Sequence, residues 1–474
     1  MALKPIGGEI TAQDLNNNFS YLESIGIGKN DLPYVNVRDY GAVGDGVIDD
    51  TAAIQAAIND VGAKGGGVVV FPPGEYYTDT VVVRYSNVQL IGQGIENTKL
   101  TLKDMATGAC IQIGEYNDTA IRGTLSNIAV QGFTIDGNKE NQLQGSNTED
   151  GIHMAIRVED VSHVTISSVI CHDCDGYGIG FVGSDLPNRE HYTVRDIETY
   201  NNDYDGLDIK SGAKNVSLEN VVAHNNGGGA IPGRDAVGID VRGENVSLNN
   251  CKAYENQNHG IRLRANEGRK VSVSNCKSLD NTQDGFRLDG LSAEEYVLEN
   301  CFSVGNRYGV AVEQGTYTLV NFVIKGNLQN GIHFITGFLA VVFVQSSIIT
   351  ENGLDGIRND GSGELSVSNT KVSRNGRHGI YMQNNLRPNI SNSDIHGNGA
   401  NEQGHGVIIS NLSNNWTITG SKIYNRSGEK QYRGIHFVGT SVEGILTSNY
   451  IRGNTDAQIG GAVPDGTQQA NNLT

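Results

Sequence analysis

The sequence predicts an all-β chain: a right-handed parallel β-helix with an N-terminal capping helix and a short leader ahead of it. Three observations carry this. A short phrase of polar residue, Gly, aliphatic, outward residue and aliphatic recurs, as in Asp205-Gly206-Leu207-Asp208-Ile209, Val237-Gly238-Ile239-Asp240-Val241, His259-Gly260-Ile261-Arg262-Leu263 and Asp284-Gly285-Phe286-Arg287-Leu288. Its glycine returns at positions 151, 178, 206, 238, 260, 285, 309, 331, 356, 379, 406 and 434, and self-similarity at such a period marks a solenoid. A second column repeats with it: Asn202, Asn226, Asn256, Asn281, Asn306, Asn327, Asn352, Asn375, Asn398 and Asn454. Asn tolerates left-handed turns and, stacked turn over turn, its amide can both donate and accept. Finally, 62 glycines among 474 residues and a single Trp favour short strands and tight turns around stacked aliphatics. The usual crossover rule makes the coil right-handed.

The elements follow in order. Residues 1–30 stand apart as a leader. Ile10, Leu15, Phe19, Leu22 and Ile25 fall near helical spacing, and a lone amphipathic helix must bury that face on its own chain, on copies of itself or on a larger particle. Residues 34–125 form a cap with the first turns. A strand at Val35–Val37 runs into Gly-rich turns, and Asp49-Asp50-Thr51 offers N-capping side chains for a helix through about Val61. Strands follow at Val68–Phe71, Tyr77–Val83 and Val88–Ile91. A solenoid end exposes its core, so a capping element is required there. Residues 126–454 are the β-helix body, and 455–474 read as a polar tail with no evident cap.

Composition narrows the partners. A net charge of −18 argues against nucleic acid and anionic membranes, though not against a local basic groove. No apolar run reaches the length of a membrane span. Met1-Ala2-Leu3-Lys4-Pro5-Ile6-Gly7-Gly8 lacks the apolar core of a signal peptide, so an extracellular workplace is reached by another route. Cys251, Cys276 and Cys301, spaced 25 apart, read as stacked inward residues, and Cys171-His172-Asp173-Cys174 is a lone CxxC without a partner pair.

The stretch Asp39-Tyr40-Gly41-Ala42-Val43-Gly44-Asp45-Gly46, continuing through Asp49-Asp50-Thr51-Ala52-Ala53-Ile54-Gln55-Ala56-Ala57-Ile58 to Phe71-Pro72-Pro73-Gly74-Glu75-Tyr76, resembles the start of the pectate-lyase-like β-helix superfamily. The resemblance implies a right-handed β-helix with carbohydrate as ligand. The Asn-rich leader before the cap resembles those of bacteriophage tail-spike and appendage proteins. That implies a homotrimer on the outside of a virion, joined to tail or baseplate proteins through residues 1–30 and binding or cleaving bacterial surface glycans. Asp203-Tyr204-Asp205-Gly206-Leu207-Asp208 is similar to the Asn-Thr-Asp-Gly-x-Asp phrase of polygalacturonases, and Asn258-His259-Gly260 to their Gly-His-Gly. Arg262-Leu263-Arg264 matches their Arg-x-Lys loosely, while Asp235 and Asp240 stand in place of an adjacent Asp pair. Tyr177-Gly178, Asp205-Gly206 and His259-Gly260 are similar to the phrases of mannuronan C-5 epimerases, but Ile179-Gly180-Phe181-Val182 replaces their Phe-Asp-Pro-His.

Asp-Gly also occurs at Asp150, Asp284, Asp355 and, loosely, Asp289, and His-Gly at His378 and His405, so either pair belongs first to the turn chemistry of the repeat. The sharper expectation comes from alternation. With Leu207 and Ile209 inward, Asp208 and Lys210 face out. So do Asp240 and Arg242, Arg262 and Arg264, Arg287 and Asp289, and Ala311 and Glu313. Strands about 4.8 Å apart would join them into one charged stripe, diluted later by His333 and Ile335, Tyr381 and Gln383, and Ile408 and Ser410.

Glycoside hydrolysis uses one protonated and one ionised carboxyl, about 5–5.5 Å apart for retention and 6.5–9.5 Å for inversion. Asp208 and Asp240 are the expected pair, Asp205 a water-activating base and His259 a proton shuttle. Arg262, Arg264 and Arg287 would grip acidic groups on the glycan. Tyr177, Tyr204, Lys210, Asp235, Arg242, Asp289 and Glu313 complete the expected substrate-binding set. No cofactor is required, although Ca²⁺ among Asp205, Asp208 and Asp240 is compatible with an all-oxygen ligand set. The expectation is a polysaccharide depolymerase, a hydrolase before a lyase. The alternatives are a non-catalytic glycan-binding adhesin or structural appendage, and a uronate lyase or C-5 epimerase.

Overall fold

A computed structural model describes residues 34–115, 122–142, 153–183, 189–228, 236–264, 270–290, 295–337, 339–361, 363–385, 387–401, 403–411, 415–440 and 443–474. The leader expected at 1–30, Asp150 and Asp235 lie outside them. The chain divides into two compact units, described residues through Ser217 and those from Leu218 onward. Each is a parallel β-helix.

In the first unit the cap forms as expected. The helix Thr51–Ala63 buries Ile54, Ala57, Ile58 and Val61, and Tyr34–Asn36 pairs in parallel with Gly67–Phe71. Its N-cap is Asp50, whose side chain does not cap the helix. That carboxylate instead accepts from the backbone N–H groups of Val43 at 2.6 Å and Gly44 at 3.1 Å, tying the Gly-rich turn to the helix start. Asp49 takes the N–H of Thr51 at 3.0 Å. Expected strand Tyr77–Val83 is two strands, Gly74–Thr78 and Val81–Val83. Two parallel columns then rise. One runs through Gly67–Phe71, Val88–Gly92, Ser126–Asp136, Ser162–His172 and Glu190–Tyr200. The other runs through Val81–Val83, Ile111–Ile113, Ile156–Glu159, Ile179–Val182 and Leu207–Ile209.

The second unit lays down three short strands per turn. Ile239–Val241, Ile261–Leu263, Phe286–Leu288, Val310–Val312 and Ile332–Phe334 pair residue for residue, and the column continues to Ala457–Gly460. Ile261, Phe286, Val310, Ile332, Ile357 and Ile380 stack at its core without exposure. Cys251, Cys276 and Cys301 are buried free thiols, and so are Cys171 and Cys174 in the first unit. The polar stretch 455–474 carries two further strands, Ala457–Gly460 and Gln468–Ala470.

In the second unit the Asn column is a ladder, in which Gln431 stands between Asn398 and Asn454. Asn256 donates both its backbone N–H and its amide to the Oδ1 of Asn281. Asn281 does the same to Asn306, and Asn306 to Asn327. The left-handed turn sits one residue earlier than expected, at Glu255, Asp280 and Gly305, because the ladder Asn must point inward. The recurring glycine answers to space rather than to φ. A Cβ on Gly285 would meet Ser303 Oγ at 2.2 Å and both Asn306 Nδ2 and the Gly309 carbonyl at 2.7 Å.

Candidate functional site

In the first unit the outward column beside the candidate residues reads Gln112, Arg157, Gly180 and Asp208, in register. Asp208 was expected to face solvent, but it has no exposure, and Asp205 has only 2%. Met154 fills the space that a side chain at Gly180 would take, its sulfur 2.7 Å from where a Cβ would stand. Tyr177 and Tyr204 lie 5.6 Å apart between ring centroids and pack with Ala109, Met154 and Val182 in an apolar cluster. Lys210 Nζ stands 5.5 Å over the Tyr177 ring. Two pairs escaped the sequence reading. His153 sits between the Ala106 carbonyl at 3.0 Å and Asp175 at 3.3 Å, and Arg157 Nε donates to Glu159 at 2.9 Å. The alternation Ile156-Arg157-Val158-Glu159 carried the signal for the second.

In the second unit Asp240 is likewise buried rather than outward-facing in water. Two guanidiniums close over it: Arg242 at 3.1 Å and Arg264 at 2.5 Å. Arg262 donates to Asp289 at 2.6 Å, and Arg287 bridges Asp289, Glu313 and, at 3.4 Å, Asp284. His259 Nδ1 lies 3.3 Å from Asp284 Oδ2. Ala311, expected outward, is fully buried. Four arginines thus meet four carboxylates, so this part of the stripe neutralises itself and is not an open basic groove. Burial pushes the Asp284 carboxyl up to about 6 and raises Glu313, with the Asp289 charge adding to it.

The charge does not fade where the sequence reading had it fade. Asp355, fully buried, receives Arg377 at 2.6 Å and Arg358 at 3.0 Å, and Arg358 also reaches Asp360. Asp284 and Asp355, whose Asp-Gly pairs belong to the turn chemistry of the repeat, are therefore ion-pair centres as well. Beyond them His378, His405 and His436 stack, with ring centroids 5.2 and 4.7 Å apart. Burial holds His378 down to about 4 and His405 to about 3.

Comparison with known proteins fits this architecture. The profile of the family described as rhamnogalacturonase A/epimerase, pectate lyase-like, matches residues 34–287, and that of the right-handed beta helix region matches 308–463. The chain is 29% identical over 263 residues to the mannuronan C5-epimerase AlgE2 of Azotobacter vinelandii, covering 48% of this chain and 25% of that protein. It is 26% identical over 237 residues to the pre-neck appendage protein of Bacillus phage B103, covering 41% of this chain and 26% of that one. The chain thus spans about a quarter of the length of these two relatives. Among solved structures, the N-terminal fragment of gene product 12 of bacteriophage phi29 superimposes with a TM-score of 0.51 at 14% identity, over 98% of this chain and 96% of that one, a likeness of fold. Among the described residues no helix is long and apolar enough to cross a membrane.

Proposed function

The chain belongs to the rhamnogalacturonase A/epimerase, pectate-lyase-like family, and from that membership we propose that it processes polysaccharide, as a virion-borne hydrolytic depolymerase of a bacterial surface or acidic glycan. The observation that carries the reading is the withdrawal of Asp208 in the first unit and Asp240 in the second from water. A merely solvated face would leave such carboxylates exposed, whereas acid–base catalysis works with carboxyls in water-poor surroundings. Asp208 and Asp240 are read as the acid and base carboxyls, Asp205 as the group activating water and His259 as a proton shuttle. Tyr177, Tyr204, Lys210, Asp235, Arg242, Arg262, Arg264, Arg287, Asp289 and Glu313 are read as substrate contacts.

Hydrolysis is preferred to elimination or epimerisation on two grounds. Gly180 and Val182 occupy places where the epimerase phrase carries Asp and His, removing a carboxyl and an imidazole from that strand. Arg242, Arg262, Arg264 and Arg287 are each already engaged by a carboxylate, so neutralising a uronate would require breaking an existing pair. A protein that only binds glycan, through sugar hydroxyls that leave these ion pairs intact, is the second reading.

Incubation with a panel of capsular and wall polysaccharides separates these. New reducing ends without the ultraviolet absorbance of unsaturated uronate mean hydrolysis, and that absorbance means elimination. Saturable binding with unchanged polymer length means an adhesin. On the polymer that is cut, Asp208→Asn and Asp240→Asn, each checked for folding, are expected to lower turnover by about 100-fold or more. Full activity in folded forms of both would remove them from the mechanism. The likeness to a phage appendage protein supports the virion setting. A homotrimer attached through residues 1–30 belongs to the same proposal, and light scattering on the intact chain tests its trimeric part.

A further inference from the structure

Beyond the charged stripe, the same column of the second unit changes character. On the strands Val310–Val312, Ile332–Phe334, Ile357–Asn359, Ile380–Gln383, His405–Ser410 and Arg433–Val438, outward positions and strand entries carry planar groups turn after turn. Tyr308 stacks on His333, with centroids 4.4 Å apart and planes 18° from parallel. The Arg358 guanidinium, next in register after His333, lies 4.5 Å over the Tyr381 ring. Tyr381 stacks with His378 at 6.0 Å, and from there the stack continues through His405 to His436. All six rings are half-buried. On the same turns, outward positions of the other sheet read Ser366, Asn389 and Thr417, and Ser368, Ser391 and Thr419, in register. Residues of that kind suffice for a solvated face, so the planar column has another cause.

Stacking turns the faces of these rings toward one another and leaves their edges for a ligand. Ring edges carry the positive end of the aromatic quadrupole, and two of the polar atoms there are fixed. Asn330 Oδ1 accepts the Asp355 N–H at 3.0 Å, so its amide nitrogen is the atom that donates to His333 Nδ1 at 3.2 Å. His333 then carries its proton on Nε2, the nitrogen farther from its own backbone. His378 Nδ1 accepts the His405 N–H at 3.2 Å, which puts the His378 proton on Nε2 as well.

Charge plays little part in this surface. Arg358 is paired with Asp355 and Asp360, and Arg433 with Asp456. Burial holds His333 and His378 down to about 4 and His405 to about 3, so these rings are neutral at pH 7. A fitting ligand therefore offers oxygen acceptors without needing a counter-charge, at a repeat near the strand spacing of about 4.8 Å. An extended polysaccharide does both, since one sugar residue has about that length and bears several hydroxyls.

We propose that the column of rings from Tyr308 to His436 is a second glycan-binding track, which holds a polysaccharide through its hydroxyls outside the charged stripe. The inference rests on the reading of the chain as glycan-processing, and it gives this track binding rather than bond cleavage.

The intact chain is run in native gels cast with the neutral members of the capsular and wall panel and, as a charged reference, with alginate. At least one neutral polymer should retard wild type, and added salt should not release it, because no ion pair is being screened. On that polymer, His333→Ala and Tyr381→Ala should each weaken binding about tenfold, as for one or two lost hydrogen bonds. They lie two turns apart, so one serves if the other fails to fold. Ser366→Ala, on the other sheet, should bind as wild type. Fragments of the polymer should gain affinity with length up to about six sugars, one per turn. Retardation by no neutral polymer, retardation that salt abolishes, or wild-type retardation in folded His333→Ala or Tyr381→Ala overturns the inference. Cleavage is scored separately. Weakened binding in these variants with no polymer ever cut keeps the track and removes the depolymerase reading. A polymer cut and retarded equally by wild type and variants removes the track and keeps that reading.

Discussion

His378 and His405 show how a residue's neighbours decide its chemistry. Both precede a glycine, as His259 does, yet they form a neutral stack, and His378 Nδ1 accepts the His405 N–H at 3.2 Å. With folded values near 4 and 3 against an ordinary 6.5, the unfolded chain takes up protons that the folded chain refuses. Their contribution to stability is therefore complete above pH 6.5 and falls as pH drops toward 4 and 3. Each imidazole accounts for a slope of up to about 1.4 kcal/mol per pH unit. Thermal melts from pH 7 to pH 4 should show that decline, and His378→Gln with His405→Gln should flatten it. An unchanged slope in the double variant would assign the acid sensitivity to other groups.

At the scale of elements, the Asn ladder runs unbroken from Asn256 to Asn398. Asn306 receives the N–H and amide of Asn281 and passes its own to Asn327. Asn306→Ala would orphan the buried Asn281 N–H and open a hole in the stack. An unsatisfied buried donor costs about 1–3 kcal/mol, so with the cavity the loss should be roughly 2–4 kcal/mol in denaturant unfolding. The ladder was legible in the sequence because its spacing matches the glycine phrase. Its hydrogen-bond geometry was not: the left-handed residue is the neighbour before each Asn, and only the folded turn separates the two roles. The cap helix was legible for a similar reason, since its apolar spacing is local, whereas the use of Asp50 to fasten Val43 and Gly44 depends on how the turn folds back.

At the scale of the whole molecule, coils of this kind contact mainly their neighbouring turns, so stability is approximately a sum of turns and interfaces. Damage should stay local. In Asn306→Ala, hydrogen exchange should quicken in Lys277–Leu279, Phe302–Val304 and Val323–Lys325 and remain unchanged in Trp416–Thr419, within the same unit. Uniform acceleration across that unit would show that it opens as one cooperative block instead.

Sequence alone determined the repeat, the strand register, the inward aliphatic column, the buried cysteines and the cap, because each follows from a short period or from local spacing. It also marked Asp208, Asp240, Arg262, Arg264 and Arg287 as the unusual outward residues. Tertiary structure decided what those residues are. Outward positions carried Asp208 and Asp240 into burial, because long arginines fold back over Asp240 and because outward from the coil does not mean exposed to water. It likewise separated two identical Asp-Gly phrases, leaving Asp355 saturated and Asp284 short of donors. Which arginine of a neighbouring turn reaches such a carboxylate depends on contacts between turns, which the order of residues along one turn does not contain.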